Sequence, residues 1–372
     1  MTAAGGPMRA ETAPPAANPL PDGDGAAASR PPDGFVVRVG GYSVVLARRG
    51  SLVVAVMAVC AAALVVASLL TDSAGFGTGE LLAGLFGRAG DGVNLLVQQI
   101  FLPRVVCALL AGAGLGAAGC LSQTLARNRL ATPDMLGVSE GATTAMLAVA
   151  GASVTGLVGA WWAGPVGAAA AGLVVVLLAG GMGRAGYRVL IVGVALTTML
   201  SSVTQLVLAT QNINSAGGSF LWTMGSLNGR GYETAVPVAV GLAVLFPLAL
   251  LMARRLGVLR LDDATAATLG LRPDRTRLAV LAVAVGMAGL AVGVGGPIGF
   301  VALAAPVVAS RLAGPARVPV LSSAVVGAVL VVAADLAART LAPVEIPAGV
   351  VTAVLGGPFL LWVLLSREGE GR

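Results

Sequence analysis

V-V-C-A-L-L-A-G-A-G-L-G-A-A-G-C-L-S-Q-T-L-A, residues 105–126, runs for twenty-two positions without a charged side chain. A helix needs roughly 20 apolar residues to cross the hydrocarbon core of a bilayer, so this stretch is of spanning length. It also carries Gly112, Gly116 and Gly119, with Ala113 and Ala117 between them. Small residues at that spacing let helix backbones approach closely where lipid removes any hydrophobic drive for association. The expectation is a lipid-embedded helix packed tightly on its neighbours.

The pattern recurs outward in both directions. Further charge-free runs cover 50–71, 141–183, 189–229, 234–253, 278–310, 318–334 and 346–366. The run 141–183 is long enough for two crossings, with a turn near Gly151, Ala152 and Ser153 and a second crossing that includes Trp161 and Trp162. The run 278–310 divides at Gly293, Gly295, Gly296 and Pro297, because G-V-G-G-P-I-G-F frees backbone groups that a lipid-facing helix cannot leave unpaired. The run 189–229 is apolar in its first half and polar from Gln211 onward. Ten spans are expected, in an all-α membrane fold. With 57% hydrophobic and 11% charged residues, a water-soluble domain of this size is excluded.

Arginine alone carries the topology signal, since the chain has no lysine. With both termini inside, 19 of the 23 basic residues fall on cytoplasmic segments, and the exported ones are Arg88, Arg104, Arg230 and Arg339. Cytoplasmic loops of membrane proteins show that bias, so the net charge of +6 reads as topology and no nucleic-acid partner is expected. The absence of lysine also excludes a G-x-x-x-x-G-K-[ST] nucleotide loop. Cys60, Cys107 and Cys120 lie in apolar runs and form no C-x-x-C pair, which points to neither disulfide nor metal site. No cofactor is expected in this chain, and no catalytic residue.

Residues 1–34 offer little to bury and read as a disordered cytoplasmic tail. Residues 35–49 suit a short strand or an interfacial segment. Together, 1–49 form an N-terminal cytoplasmic segment, 50–367 the membrane domain, and 254–277 an arginine-rich cytoplasmic loop within it. Three polar features stand out. Thr197, Ser201 and Gln205 share one face of an apolar helix, for interhelical hydrogen bonds or a wet pathway. Asp335 and Arg339 sit four apart in the favourable order for a helical ion pair. Between 256 and 271, Leu261, Ala264, Ala267, Thr268 and Leu271 share a face of a short helix stopped at Gly270, fit to rest on a membrane or dock on another protein.

Five blocks resemble the iron-chelate and vitamin B12 importer permeases of the ATP-binding cassette (ABC) class. They are L-P-R at 102–104, N-R-L-A-T-P-D-M-L-G-V-S at 128–139, G-P-I-G-F at 296–300, A-D-L-A-A-R at 334–339 and E-I-P-A-G-V-V-T-A-V-L-G-G-P-F at 345–359. The resemblance runs from about Gln99 to Arg367. It implies a ten-helix permease of the type II importer kind, dimeric with an identical or related second permease chain. Its pathway lies at the dimer interface, in the bacterial cytoplasmic membrane. The implied partners are a cytoplasmic ABC ATPase dimer and an extracytoplasmic substrate-binding lipoprotein, and the implied cargo is an iron(III)-siderophore-type chelate, with heme or cobalamin as alternatives. By the same resemblance Asn128 and Leu130 help close a cytoplasmic gate. Leu261, Asp262, Asp263, Ala264, Ala267, Leu269 and Gly270 form the helix that couples to the ATPase. On the reading of a wet pathway, the shared polar face of Thr197, Ser201 and Gln205 lines it. Arg104 and Arg339 face outward to pair with acids of the binding protein. The chain departs from its relatives at Phe101, Arg129, Glu140 and Val307, where they often carry arginine, proline, Ser or Asn, and histidine.

Two other classes fit less well. An ion-coupled transporter normally carries intramembrane acids or histidines as ion ligands, and here only Asp335, already beside Arg339, and Glu140, near a helix start, qualify. A membrane enzyme lacks its constellation of His, Cys or paired carboxylates.

Overall fold

Apolar runs become helices in lipid because each backbone N–H and C=O must find its partner within the segment. The computed structural model describes residues 34–39, 42–71, 76–152, 161–180, 186–211, 213–314, 318–341 and 344–368. The tail expected over 1–34 lies outside them but for Gly34. Of the short strand or interfacial segment expected over 35–49, the structure shows strand: β1 (Gly34–Val39) and β2 (Tyr42–Ala47) pair antiparallel, with Phe35 opposite Leu46 and Val37 opposite Val44. This hairpin is a unit by itself, apart from the helical body that starts at Arg49.

The described helices are, in chain order, α1 (Arg48–Thr71), α2 (Thr78–Leu85), α3 (Asp91–Leu96), α4 (Leu102–Ala126), α5 (Val138–Ala152), α6 (Ala163–Ala179) and α7 (Gly186–Thr210). Then come α8 (Ile213–Thr223), α9 (Tyr232–Leu259), α10 (Asp263–Thr268), α11 (Pro273–Gly295), α12 (Val301–Ala313), α13 (Val320–Thr340) and α14 (Ala348–Glu368). Every expected apolar run carries one helix or, where a split was expected, two, except 189–229, whose polar tail carries α8 after α7. Among the described residues six helices are long and apolar enough to cross a membrane by length and composition, while α6, α12 and the Ala348–Val363 part of α14 are apolar but shorter.

The body is built around α4, α11 and α13, which are largely buried, while α1, α7 and α9 expose most of their surface. The glycine face of α4 explains the arrangement. A side chain at Gly112 would collide with the carbonyl of Gly327, at Gly116 with that of Ser323, and at Gly119 with that of Ala302. Glycine there lets α13 and α12 lie backbone to backbone on α4, which is how helices associate in lipid. Gln123 adds a cross-helix bond, its Nε2 donating to Leu303 O at 3.0 Å.

The break in G-V-G-G-P-I-G-F comes later than expected. Helix α11 continues through Gly293 to Gly295, because Gly293 packs on the carbonyl of Trp161 and beside Gly164 of α6. The chain leaves the helix at Gly296, φ +71°, and turns sharply at Phe300, also at φ +71°, where Val301 N–H donates to Gly299 O at 2.9 Å. A three-residue turn of this kind is rare and strained. Phe300 then packs edge-on against Phe359 of α14, ring centroids 5.1 Å apart.

Three helices were not expected, α8 in the polar tail of 189–229 and two more near the start of the body. Between α1 and α4, α2 and α3 close a small apolar cluster of Leu81, Val93 and Val97, against which Leu85, Ala89 and Phe101 pack. Phe101 completes that cluster. A π-helical turn over Val97–Phe101 joins α3 to α4.

Candidate functional site

At the end of the bundle where α4 begins, three ion-paired residues meet. Asp335 on α13 accepts at Oδ1 from Arg104 Nε and Nη2, at 3.2 and 3.0 Å, and its Oδ2 lies 3.1 Å from Arg339 Nη2. The pair expected four residues apart is therefore present, and Arg104 joins it from a different helix. Arg339 also donates to the hydroxyl of Ser68 on α1. Side-chain exposures are 12% for Arg104, 3% for Asp335 and 4% for Arg339. The expectation that both guanidinium groups face outward is not met, because Asp335 draws them into the protein. A docking role for them requires these pairs to open.

The exposed member of the group is Glu345, at 49%. One carboxylate oxygen accepts from Arg104 Nη1 at 3.0 Å and the other from the amide of Asn228. Close by, three glycines bring three segments together. Gly349 N–H donates to Gly225 O at 2.9 Å, and a side chain on Gly225 or Gly296 would strike Pro297 O or Trp222 O respectively. Gly225 has φ +81°, a conformation that glycine adopts without a Cβ penalty. The broken end of α11, the loop after α8 and the start of α14 thus meet at one knot. Arg230, another of the expected exported arginines, is buried beside it over the ring of Trp222 at 5.7 Å.

At the other end of α4, the chain leaves the helix through a Schellman-type cap. Arg127 sits at φ +51° with its N–H on Thr124 O, and Asn128 N–H reaches Gln123 O at 3.1 Å. The side chain of Asn128 folds back to accept from Leu130 N–H at 3.0 Å. Asn128 is exposed and Leu130 half-buried. A 3-10 turn at Pro133–Leu136 follows, and Gly193 of α7 packs on the carbonyl of Met135. Asp134 in that turn accepts from the Ser139 hydroxyl. Enclosure pushes the pKa of the Asp134 carboxyl up from the ordinary value, and the Ser139 hydrogen bond offsets part of that.

Helix α10 is short and well capped. Asp262 accepts from Thr265 N–H at 2.6 Å and from its hydroxyl at 2.8 Å, which holds the Asp262 carboxyl below the usual range. Its far end closes at Gly270, φ +83°, with Gly270 N–H on Ala267 O and Leu271 N–H on Ala266 O. Ala266 is the buried residue, while Leu261 at 59% and Leu269 at 62% stand in solvent with Asp263, Ala264, Ala267 and Gly270. Leu271, placed on the same face by spacing, turns inward to the core.

On α7 the three polar residues divide. Thr197 bonds back to Gly193 O at 2.8 Å and is half-buried with Ser201, whereas Gln205 is exposed. The interhelical bond falls to a neighbour, Thr204, whose hydroxyl meets that of Thr144 on α5 at 2.9 Å. Gln205, Thr198 and Ser202 make the exposed polar stripe. Among the described residues no group of three or more His, Cys, Asp or Glu is placed to hold a metal ion.

Residues 59–366 match the FecCD transport family. The chain is 36% identical over 294 residues to the ferric enterobactin transport system permease protein of Escherichia coli K12, covering 79% of this chain and 89% of that protein. It is 34% identical over 319 residues to the achromobactin transport system permease protein of Dickeya dadantii, covering 82% and 89% respectively. With an Fe(3+)-citrate import system permease protein of Bacillus subtilis it shares 35% over 276 residues, covering 73% and 82%. Its fold matches a chain of an ABC transporter assigned to the metal-chelate type and solved in an inward-facing conformation, with TM-score 0.71 and 24% identity over 85% of this chain and 99% of that one. Matched over most of its length, with relatives spanned nearly end to end, the chain is a multi-pass membrane protein and belongs to the FecCD transport family of permeases.

Proposed function

We propose that the chain is the permease subunit of an ABC importer that carries a ferric siderophore-type chelate inward across the cytoplasmic membrane. The observation that carries this reading is the near end-to-end match to permeases of ferric enterobactin, achromobactin and ferric citrate systems. In this reading the arginine-rich α10 end is cytoplasmic and both termini lie inside. An ATPase chain seats against α10 through Leu261, Ala264, Ala267 and Leu269. The Asn128–Leu130 turn closes the inner end of the pathway, and a second permease chain faces the polar stripe of α7. A binding protein docks at the Arg104 end, where Glu345 is the exposed carboxylate that its approach meets first.

An ion-coupled mechanism is disfavoured by the pairing of Asp335. That carboxylate is already held between two guanidinium groups, whereas an ion-coupling acid would normally stand ready to bind the transported ion.

The test is uptake of radiolabelled iron, supplied as ferric enterobactin and as ferric citrate, into proteoliposomes holding the permease with its ATPase and binding protein. ATP-dependent uptake of at least one is expected. Uptake that ignores ATP and follows a proton or sodium gradient would overturn the ABC assignment. Uptake of heme or cobalamin in place of both ferric chelates would overturn the cargo.

A further inference from the structure

The turn after α4 and the helix α10 lie far apart in sequence, yet Arg127 ties the end of α4 to the last residue of α9, just before α10, and Arg277 ties α10 to α11. We propose that Arg127 and Arg277 are the positioning residues that pass a displacement of α10 to the Asn128–Leu130 turn, an inference that rests on the coupling and gate roles proposed above.

Arg127 is the residue at which α4 ends. Its left-handed backbone is uncommon for a side chain other than glycine, asparagine or aspartate, and the hydrogen bonds to Thr124 and Gln123 hold it and Asn128 as one rigid turn. Its guanidinium reaches away from that turn, and Nη2 donates to Leu259 O at 2.5 Å. Leu259 is the last residue of α9, directly before the segment that ends in the Asp262 cap of α10. Any shift of the cap moves the carbonyl on which Arg127 is anchored.

Arg277 holds the other side. From the first turns of α11 its Nη2 lies 2.7 Å from Asp263 Oδ1, at the first position of α10, while its Nη1 lies 3.6 Å from Asp274 on its own helix. Asp263 is more than half exposed, so solvent screens the pair and stability is not its main contribution. What the guanidinium supplies is a fixed fork between two elements, charged at every physiological pH.

Both arginines also line a cavity of about 360 Å³, together with Ala131, Thr132, Met135 and Leu136 from the stretch that follows the turn. Close-packed interiors transmit a push but leave no room for a loop to travel. Here Arg127 before the turn and Ala131 and Thr132 after it border open volume together with Arg277. Coupling between two sites needs a contiguous element that both can bias, and Leu259–Asp263, gripped at each end by one of these arginines, is such an element.

The experiment uses the permease with its ATPase in inverted membrane vesicles, carrying Cys60→Ala and a reporter Thr132→Cys on the cavity wall. A membrane-impermeant maleimide labels the reporter with and without ATP and vanadate, and retention of the ATPase is checked by pull-down. In the parent the labelling rate changes with nucleotide. Arg127→Gln, Arg277→Gln and the isosteric Asp263→Asn each abolish that change, and the exchange Asp263→Arg with Arg277→Asp restores part of it. The proposal is overturned if the single variants keep the nucleotide response while Leu261→Asp loses it, since the coupling helix then acts by another route. It is also overturned if the exchange variant retains the ATPase but recovers no response. If the parent shows no response, or Leu261→Asp leaves it intact, the coupling reading itself fails and the two links fall with it.

Discussion

Asp335 shows how little a single residue can be understood from its own helix. Removing one partner of a buried ion pair leaves an uncompensated charge and costs about 3–5 kcal/mol, whereas replacing the whole group by apolar residues of similar volume is often neutral or better. Asp335→Asn is therefore expected to lower the unfolding temperature of the detergent-solubilised protein markedly. The triple variant Arg104→Met, Asp335→Leu, Arg339→Met should recover most of the loss. Equal damage in both would mean that apolar residues cannot replace the group, and little damage from Asp335→Asn alone would mean that the three groups are solvated. Asp134 gives a second test, through pH. Its folded pKa is raised, so the fold favours the protonated form. That contribution is fully present below the ordinary carboxylate value of about 4 and is lost as pH rises through the folded value. Wild-type thermal stability, measured relative to Asp134→Asn, should fall as pH rises above about 4. A difference that stays flat with pH would place the carboxyl in water.

Among the elements, α4 and α10 make opposite demands. Helix α4 works through the absence of side chains. Gly116→Leu would drive a branched side chain into the Ser323 carbonyl and should abolish the monodisperse peak in size-exclusion chromatography. Gly357→Ala on α14, with nothing within 4 Å, should be tolerated. Helix α10 works through exposed side chains. Leu261 and Leu269 touch mainly solvent, so Leu261→Asp should leave folding intact. Loss of a central apolar anchor from an interface costs about 2 kcal/mol or more, so ATPase retention in a pull-down titration should fall by an order of magnitude or more. Unchanged retention would return α10 to a membrane-surface role.

For the whole molecule the expectation is one of sidedness. Gly270 and Asn228 are both exposed and stand at opposite ends of the bundle, Asn228 through its bond to Glu345 at the Arg104 end. Single cysteines at these positions should react with an impermeant label from opposite faces of the membrane. Arg230 is a poor reporter site because it is buried. Reaction of both from the outside would reverse the arginine-based topology, and with it the assignment of α10 to the ATPase side.

The sequence by itself determined what depends on neighbours along the chain. The length of an apolar run decides that it becomes a helix in lipid, so each of the runs carries its helix. The i, i+4 spacing decides that Asp335 meets Arg339, and glycine after a short capped segment decides where α10 stops. The tertiary structure alone decided what depends on which distant segments meet. Arg104 lies 231 residues from the carboxylate that turns it inward, and Arg127 lies 132 from the carbonyl it holds. The apolar cluster of α2 and α3 went unseen because helices of eight and six residues carry too short a period to stand out from a loop. The glycines of α4 could be read as packing positions, but not which carbonyl each would meet. Spacing along one helix fixes a face, and only the approach of a second backbone gives that face its partner.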